Sequence, residues 1–421
     1  MFLARWSAIA LVEKQLATQS EVPCATRARR GYLVNNMKYL TKFELWTAIQ
    51  KQKLQLDWPV ALLSAAVVFV SAGQLGRTQT PANAGRPVTG LNNPSATIFN
   101  PATGKVYTVD ADAAAVQISD DAAGSIVRVK VGAGPVSIAA DSINGRAYVA
   151  NVDDGTVSVI DGKTDAVVAT VPIGPHPYSI AADSAAGKIY VSRTYSDQLT
   201  VIDAETNQVS GIKAGSPDLI AVDPKMHLAY LLGYEGGDLT ILDGATHSVT
   251  RNSVGMHAWG IALNAQTGAV YIAKIGDAQV AVLEPGSTSP KMIPAGRIPC
   301  SVAVNAQTNT VYVANYGDNS ITVIDGATGR TVATITVGKR PQAVAVDSDR
   351  KLVYVANTQA NTVTVVDGAT NRVLATLDAG KAPYALAVNP VSGKLHVANF
   401  DTKSFTTLDA SQLRKSASYQ K

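Results

Sequence analysis

A hydrophobic residue followed by glycine recurs along most of the chain at a nearly constant interval of about 40 residues. The glycines of this phrase are Gly132, Gly174, Gly215, Gly255, Gly296, Gly338 and Gly380. Each interval holds four short runs rich in Val, Ile and Thr, which are separated by Asn, Asp and Gly. Each run is long enough for a strand and too short for a typical helix. A four-strand unit that recurs at about 40 residues predicts an all-β fold, the β-propeller, with one blade for each unit.

The number of units predicts eight four-stranded antiparallel blades. Their inner strands are expected to begin near Ser95, Val136, Tyr178, Asp218, Trp259, Cys300, Gln342 and Tyr384. The eighth unit holds only three strands and stops near Leu413, but residues 86–91 occupy a fourth-strand position ahead of the first unit, since Gly90 precedes Gly132 by one repeat interval. This N-terminal strand is predicted to complete the last blade, which closes the ring and removes the open edges. Seven blades is the alternative, if one weak unit is not a separate blade.

Composition fits such a fold and limits the function. The 33 glycines and 19 prolines suit a chain with many turns. A net charge of +4 is too small to indicate nucleic-acid binding by itself. The two cysteines, Cys24 and Cys300, predict neither a disulfide framework nor a Cys-rich metal site.

Residues 1–84 differ from the repeats and form a separate region. The run 59–73 is apolar, and nine Lys or Arg but only four acidic residues precede it. This asymmetry predicts that the upstream segment stays in the cytoplasm and that the propeller, residues 85–413, is exported to the periplasm or beyond. The run suits a signal-peptide core or a membrane anchor, with 82–84 as a cleavage site and Met37 as an alternative start. A buried helix of a cytosolic protein is the other interpretation. Residues 414–421 are a polar tail.

A four-residue phrase gives the repeats a family resemblance. Tyr148–Asn151, Tyr312–Asn315 and Tyr354–Asn357 read YVAN, and His396–Asn399 is a variant. Over residues 85 to about 411 the units resemble the YVTN β-propeller repeat family of surface-layer-like and YncE-like exported proteins. The resemblance implies a propeller scaffold, an exported location and, for most similar proteins, a binding role. Single-stranded DNA binding is attributed to one relative, and some other propellers are lyases or lactonases.

Positions that stay constant among the units are assigned to structure. The phrase Asp-Gly-x-Thr recurs at Asp161, Asp243, Asp325 and Asp367, where Asp can accept backbone hydrogen bonds and Gly permits a turn. An alanine recurs in the inner strands at Ala139, Ala181, Ala221, Ala262, Ala303, Ala345 and Ala387. A small side chain at that position is expected to let the sheets approach one another near the axis.

Positions that vary among the units are assigned to function. The loops before the inner strands and the loops between second and third strands share one face of the propeller. That face carries the candidate ligand-binding residues, which are His176, Tyr178, His257, Trp259, Arg297, Lys339, Arg340, Lys381 and Tyr384. Cations beside exposed aromatic rings suit anionic groups, sugars or unstacked bases. Arg297, Lys339, Arg340 and Lys381 precede three consecutive inner strands, so their charges are expected to cluster. The alternative is a solvated basic rim with aromatics packed between blades.

Signals for an enzyme are weaker. The five histidines show no metal-ligand spacing, and no phosphate-binding glycine loop follows a strand and opens a helix. No catalytic residue, metal or cofactor is predicted. The sequence therefore favours an exported binding or scaffold propeller that uses its loop-rich face for an anionic ligand, a glycan or a protein. The alternatives are a lyase- or lactonase-type enzyme, a structural module of the cell envelope, and a single-stranded DNA binder.

Overall fold

A computed structural model describes residues 87–89, 91, 94–215, 217–233 and 237–409. These residues belong to one compact unit, Gly76–Lys421. The apolar run 59–73, the cleavage site at 82–84 and the tail from 414 lie outside the described residues. Within the described ranges the chain forms 32 strands and no helix.

The first strand, β1 (Pro87–Thr89), precedes blade 1 in the chain but belongs to the sheet of blade 8. Blade 1 contains β2 (Pro94–Asn100), β3 (Lys105–Asp110), β4 (Ala115–Asp120) and β5 (Ser125–Lys130). Blade 2 contains β6 (Pro135–Ala140), β7 (Arg146–Asn151), β8 (Thr156–Asp161) and β9 (Ala166–Pro172). Blade 3 contains β10 (Pro177–Asp183), β11 (Lys188–Arg193), β12 (Gln198–Asp203) and β13 (Val209–Lys213). Blade 4 contains β14 (Leu219–Asp223), β15 (Leu228–Leu232), β16 (Asp238–Asp243) and β17 (Val249–Ser253).

The second half of the ring repeats the arrangement. Blade 5 contains β18 (Ala258–Leu263), β19 (Val270–Lys274), β20 (Gln279–Leu283) and β21 (Lys291–Pro294). Blade 6 contains β22 (Pro299–Asn305), β23 (Thr310–Asn315), β24 (Ser320–Asp325) and β25 (Arg330–Thr336). Blade 7 contains β26 (Pro341–Asp347), β27 (Leu352–Asn357), β28 (Thr362–Asp367) and β29 (Arg372–Asp378). Blade 8 contributes β30 (Pro383–Asn389), β31 (Lys394–Asn399) and β32 (Ser404–Asp409).

The eight-bladed architecture predicted from the repeats is confirmed. Every sheet has four antiparallel strands, and the sheet of blade 8 has the order β1-β32-β31-β30. In that sheet Pro87 pairs with Thr406 and Thr89 with Ser404. Each inner strand contacts the inner strands of both neighbouring blades, and β30 of blade 8 contacts β2 of blade 1. The ring is therefore closed at the seam between the last blade and the first.

The recurrent alanine and the recurrent tyrosine are cross-strand partners. Ala303 of β22 pairs with Tyr312 of β23, and Ala345 of β26 pairs with Tyr354 of β27. The tyrosines of this position in blades 1, 2, 3, 5, 6 and 7 are almost fully buried. A small residue opposite a large one fills the space between neighbouring sheets without overpacking. The alanine position is structural, as the sequence analysis inferred.

The tyrosine of one blade also explains the glycine of the Asp-Gly turn in the next. The hydroxyl of Tyr312 in blade 6 donates to the carbonyl of Gly368 in blade 7 at 3.3 Å. A Cβ on Gly368 would lie 2.9 Å from that hydroxyl oxygen, and a Cβ on Gly244 would collide with the hydroxyl of Tyr190. The turn aspartates act as predicted, because Oδ1 of Asp325 and its equivalents accepts hydrogen bonds from backbone N–H groups two and three residues later.

The closing seam differs from this contact at both positions. His396 occupies the tyrosine position in blade 8, and Asp121 occupies the turn-glycine position in blade 1. Nε2 of His396 lies 3.1 Å from Oδ2 of Asp121, and both side chains are buried, at 1% and 7% exposure. The same oxygen accepts hydrogen bonds from Ser392 Oγ and Asn389 Nδ2, both at 2.8 Å. The seam that closes the ring is therefore held by a buried polar cluster instead of a Tyr–Gly contact.

Candidate functional site

Two sets of loops lie together on one face of the propeller, as predicted. The connecting loop leads from the fourth strand of one blade to the inner strand of the next, and the hairpin loop joins the second and third strands. In six of the eight blades the described residues of the two loops are hydrogen-bonded backbone to backbone. The N–H of Tyr316 donates to the carbonyl of Ile298 in blade 6, and the N–H of Thr358 donates to that of Arg340 in blade 7. Because the blades of a propeller surround a central channel, this face surrounds one end of that channel, here called the mouth.

The last residue of the connecting loop is held in a left-handed backbone conformation. It is Gly134, His176, His257, Ile298, Arg340 and Ala382 in six blades, with φ between 54° and 63°. The position accepts residue types as different as Gly, Ile and Arg, so it is set by the turn and not by side-chain chemistry. The ring of His257 lies against Gly276, since a Cβ there would be 3.0 Å from its Nδ1. The predicted ligands His176 and His257 therefore occupy a backbone turn that the blades share.

The next position inward is a β-bulge. In blade 7, Pro341 pairs with Asn357 and Ala343 pairs with Ala356, which leaves Gln342 as the extra residue. The same shift in pairing occurs at Ser95, Val136, Tyr178, Trp259, Cys300 and Tyr384. The described strands of blade 4 pair without such a shift. A bulge redirects the extra side chain and leaves it outside the regular ladder. The predicted ligands Tyr178, Trp259 and Tyr384 belong to this set.

Two of these side chains interact electrostatically although they belong to different blades. Burial raises the pKa of Tyr178, and Tyr384 and the Asp218 carboxylate raise it further. Burial also raises the pKa of Tyr384, with a smaller contribution from Cys300. Tyr178 belongs to blade 3, Cys300 to blade 6 and Tyr384 to blade 8, so groups from well-separated blades converge at the mouth. Both phenols stay protonated near neutral pH and can donate hydrogen bonds there.

Cys300 was not predicted as a site residue, although it shares the bulge position. Its thiol is buried at 7% exposure and donates to the carbonyl of Pro341 in the neighbouring blade at 3.3 Å. Burial raises its pKa to about 12. A thiol in this state is not a nucleophile, because the reactive species is the thiolate. Cys300 therefore links blades 6 and 7 through this hydrogen bond and does not act as a nucleophile at the mouth.

The predicted cations lie on the connecting loops around the mouth, but two of the four have carboxylate neighbours. Nε of Arg297 lies 2.6 Å from Oδ1 of Asp318, in the hairpin loop of the same blade. Burial raises the pKa of Asp401, and the ammonium of Lys381 opposes that effect, which places these two charges near one another. Arg297 and Lys381 therefore each have a carboxylate neighbour that partly compensates their charge.

Blade 7 is different because its hairpin loop lacks these carboxylates. Gln359 stands where blade 8 has Asp401, and Ala360 stands where blade 6 has Asp318. Lys339 is exposed, and none of the described residues forms an ion pair with it. Beside it, Nη1 of Arg340 donates to the hydroxyl of Tyr316 at 2.9 Å, and its guanidinium carbon lies 5.1 Å from the centre of that ring. Blade 7 therefore presents two adjacent cations, one of them fixed in place by an aromatic ring.

Two other cations near this face are held inside their own blades. Arg193 and Lys274 replace the asparagine of the YVAN phrase. The guanidinium of Arg193 lies against Gly174, and Lys274 is 5% exposed and pairs with Asp277. In most other blades the asparagine itself is buried and structural. For example, Nδ2 of Asn357 donates to Oγ1 of Thr362 and Thr364.

Two further observations concern the described residues as a whole. No group of three or more His, Cys, Asp or Glu side chains in the described ranges is arranged to hold a metal ion. Within the same ranges, no helix is long and apolar enough to cross a membrane.

Comparison with known proteins agrees with the fold. Residues 278–405 match the family model of the YNCE-like beta-propeller. The resemblance to YncE-like propellers is confirmed. No curated protein matches the sequence. Among solved structures, Kuenenia stuttgartiensis hydrazine synthase is similar at 17% identity and a TM-score of 0.55, over 69% of this chain and 99% of that one. The dihydro-heme d1 dehydrogenase NirN is similar at 14% identity and a TM-score of 0.58, over 69% and 67%. At these identities the likeness concerns the fold alone.

Proposed function

We propose that this protein is a binding propeller that holds an anionic ligand at the channel mouth, over blade 7. The observation that carries the proposal is the pair of cations Lys339 and Arg340. They stand before a hairpin loop in which Gln359 and Ala360 replace the acidic residues of the neighbouring blades. The exposed ammonium of Lys339 has no ion pair among the described residues, so an anion bound there would gain an attractive interaction.

Arg340 supports the same function through its geometry. Its hydrogen bond to Tyr316 and its position over that ring fix the guanidinium before any ligand arrives. A cation that is already ordered loses less side-chain entropy when it binds, which favours affinity. Lys339, which is exposed, supplies a second charge. The pair is suited to a carboxylate or phosphate group at the rim of the mouth.

The test is a titration of the purified full-length protein with a fluorescent polyuronate oligosaccharide and with a single-stranded oligonucleotide, at low and high salt. We expect binding of an anionic probe that weakens as salt rises, because exposed charges are screened. Lys339→Ser should weaken binding by roughly 1.4- to fivefold, equivalent to about 0.2–1 kcal/mol for an exposed ion pair.

Lys163→Ser is the matched control, because Lys163 is an exposed lysine in the turn between the third and fourth strands of blade 2, at the opposite face. The control removes the same charge and should leave binding unchanged. Equal loss in both variants would mean that net charge and not a site binds the probe. Conversion of a small lactone by the wild-type protein would favour the enzyme alternative.

We also propose that the propeller is exported. The support is the basic segment ahead of the apolar run 59–73 in the sequence. Protease treatment of intact spheroplasts should digest the propeller along with a periplasmic control protein. A propeller that stays protected until the membrane is lysed would contradict export, and it would leave the binding proposal untouched.

A further inference from the structure

Three consecutive blades place different hydrogen-bonding groups at one equivalent position around the mouth. The bulge residue is Gln342 in blade 7, Tyr384 in blade 8 and Ser95 in blade 1. Blade 8 lies between the other two in the closed ring. The three residues therefore form an arc, the bulge arc, that begins in the same blade as Lys339 and Arg340.

Two members of the bulge arc are polar groups without partners. Gln342 is 8% exposed, and within the described residues its Oε1 has no hydrogen-bond partner. The hydroxyl oxygen of Ser95 is likewise buried without a partner among those residues. A buried acceptor that is left unpaired costs stability, so such groups usually signal a ligand or water that completes them. The amide oxygen of Gln342 is an acceptor, so the group that completes it must be a hydrogen-bond donor.

The unpartnered atom of Gln342 argues against a bare anion as the occupant of the bulge arc. Its Oε1 is an acceptor, and a bare anion has no hydrogen to donate to it. Hydroxyl groups both donate and accept, so a polyhydroxylated ring can satisfy the amide of Gln342 and the hydroxyls of Ser95 and Tyr384 together. The cations of blade 7 then lie beside such a ring, in position to contact an acidic substituent on it.

The aromatic surface at the mouth favours a saturated ring over a nucleobase. The rings of Tyr384 and Phe400 lie with centroids 6.4 Å apart and planes inclined by 48°. This arrangement forms a corner and not a parallel slot. A flat base gains most from rings that stack on its faces. A puckered sugar ring can instead place its C–H groups against the corner and its hydroxyls toward the bulge arc.

Resting on the proposed function, we infer that the ligand is an acidic glycan. One of its sugar rings occupies the bulge arc and donates a hydroxyl hydrogen bond to Oε1 of Gln342, while its carboxylate contacts Lys339 and Arg340.

The experiment distinguishes the hydrogen bond to Gln342 from the contact with Lys339 and Arg340. It uses three fluorescent probes on the full-length protein. They are an oligogalacturonate, its methyl-esterified neutral counterpart and a single-stranded oligothymidylate. Gln342→Met keeps the size of the side chain and removes both polar atoms. It should weaken both glycans by about three- to tenfold, the effect of one lost hydrogen bond, and leave the salt dependence unchanged. Lys339→Ser should weaken only the charged glycan and flatten its salt dependence.

Gln117→Met is the matched control, because Gln117 is also a buried glutamine with an unpartnered side-chain atom, and it lies in β4 away from the inner strands. It should bind both glycans as the wild type does. Loss of affinity only in Lys339→Ser, with full affinity in Gln342→Met, would overturn the sugar assignment and keep the anion site. Tighter binding of oligothymidylate than of either glycan would also overturn it. Absence of binding to all three probes would overturn the proposed function as well.

Discussion

The polar cluster at the closing seam makes a strong prediction about stability. Asp121 accepts hydrogen bonds from His396, Ser392 and Asn389, and Nζ of Lys394 lies 3.7 Å from its other oxygen. Asp121→Ala removes the group on which all these contacts converge and leaves His396 buried without its partner. Breaking a buried pair by removing one member costs about 3–5 kcal/mol.

This loss of unfolding free energy corresponds to a decrease in the melting temperature. The described propeller runs from Pro87 to Asp409. For a domain of roughly 320 residues at about 2.1 cal/mol/K per residue, the entropy of unfolding is roughly 0.7 kcal/mol/K, so the variant should melt about 4–7 °C below the wild type. Far-ultraviolet circular dichroism, which reports the β-sheet content, follows the transition.

A second variant distinguishes a specific seam from general damage. Asp121→Gly combined with His396→Tyr installs the pair found at several other seams, such as Tyr312 against Gly368. The double variant should regain most of the stability that either single variant loses, since residues in contact are not additive. A double variant no more stable than Asp121→Ala would refute the equivalence of the seams. A loss of less than about 1 °C in Asp121→Ala would refute the importance of the cluster.

The seam also gives a pH dependence with a definite sign. Burial alone would raise the pKa of Asp121, but the hydrogen bond and charge of His396, with hydrogen bonds from Ser392 and Asn389, hold it well below its ordinary value of 3.8. Its contribution to stability is therefore fully present above about pH 4 and is lost as the pH falls below that value. The wild type should lose more melting temperature between neutral pH and pH 3 than the Tyr–Gly double variant. Parallel pH profiles would contradict this assignment.

Three further predictions concern the closure strand, the packing between blades and the buried thiol. Deleting Pro87–Thr89 exposes the edge of the last blade and should lower the melting temperature or cause aggregation in size-exclusion chromatography; unchanged melting and monomeric elution would contradict closure. Gly368→Ala places a Cβ 2.9 Å from the hydroxyl of Tyr312, so it should destabilise by about 1–3 kcal/mol in urea unfolding, and adding Tyr312→Phe should restore part of the loss. In a Cys24→Ser background, Cys300 should resist iodoacetamide at pH 8 in the folded state and react in urea, because its pKa is raised to about 12; rapid reaction of the folded protein would show that it is not buried.

The repeats made most of the fold predictable. A nearly constant spacing of about 40 residues defines the blade, and the displaced strand at 86–91 indicates how the ring closes. The Asp-Gly turn and the small alanine could be assigned to structure because the turn recurs in four of the eight units and the alanine in seven. The reason for the glycine was not visible, because it lies in a contact with Tyr312 or its equivalent in the preceding blade.

The closing seam shows what a repeat comparison misses. His396 was recognised as a variant of the phrase that begins with tyrosine, but its meaning depends on Asp121, which is 275 residues away in the sequence. Neither residue is unusual alone. Only the ring places the last blade beside the first, and there the two exceptions to the pattern meet.

The residue types of the candidate site could be predicted from the sequence, but their positions in the strands and their contacts could not. The cations and aromatics of the mouth were found by comparing units, but a sequence does not display a β-bulge, so Gln342 and Ser95 could not be distinguished from ordinary strand residues. The pairing of Arg297 with Asp318 could have been inferred. The hairpin loops of adjacent units align, and the alignment contrasts Asp318 with Ala360.

The arrangement explains how such a mouth can diversify without loss of the fold. The left-handed position and the bulge are set by backbone hydrogen bonds that the blades share, so their side chains can vary. Arg340 shows that this variation is used, because a left-handed arginine costs more than the glycine that blade 2 has at the same position, and Arg340 instead gains its contact with Tyr316. At the opposite end of the sheet the turn glycines Gly244 and Gly368 have less freedom, since the hydroxyl of the neighbouring blade's tyrosine occupies the space that a Cβ would need. Selection for a ligand can therefore act on the mouth one blade at a time, and blade 7 is where cations stand beside a hairpin loop from which the neighbours' carboxylates are missing.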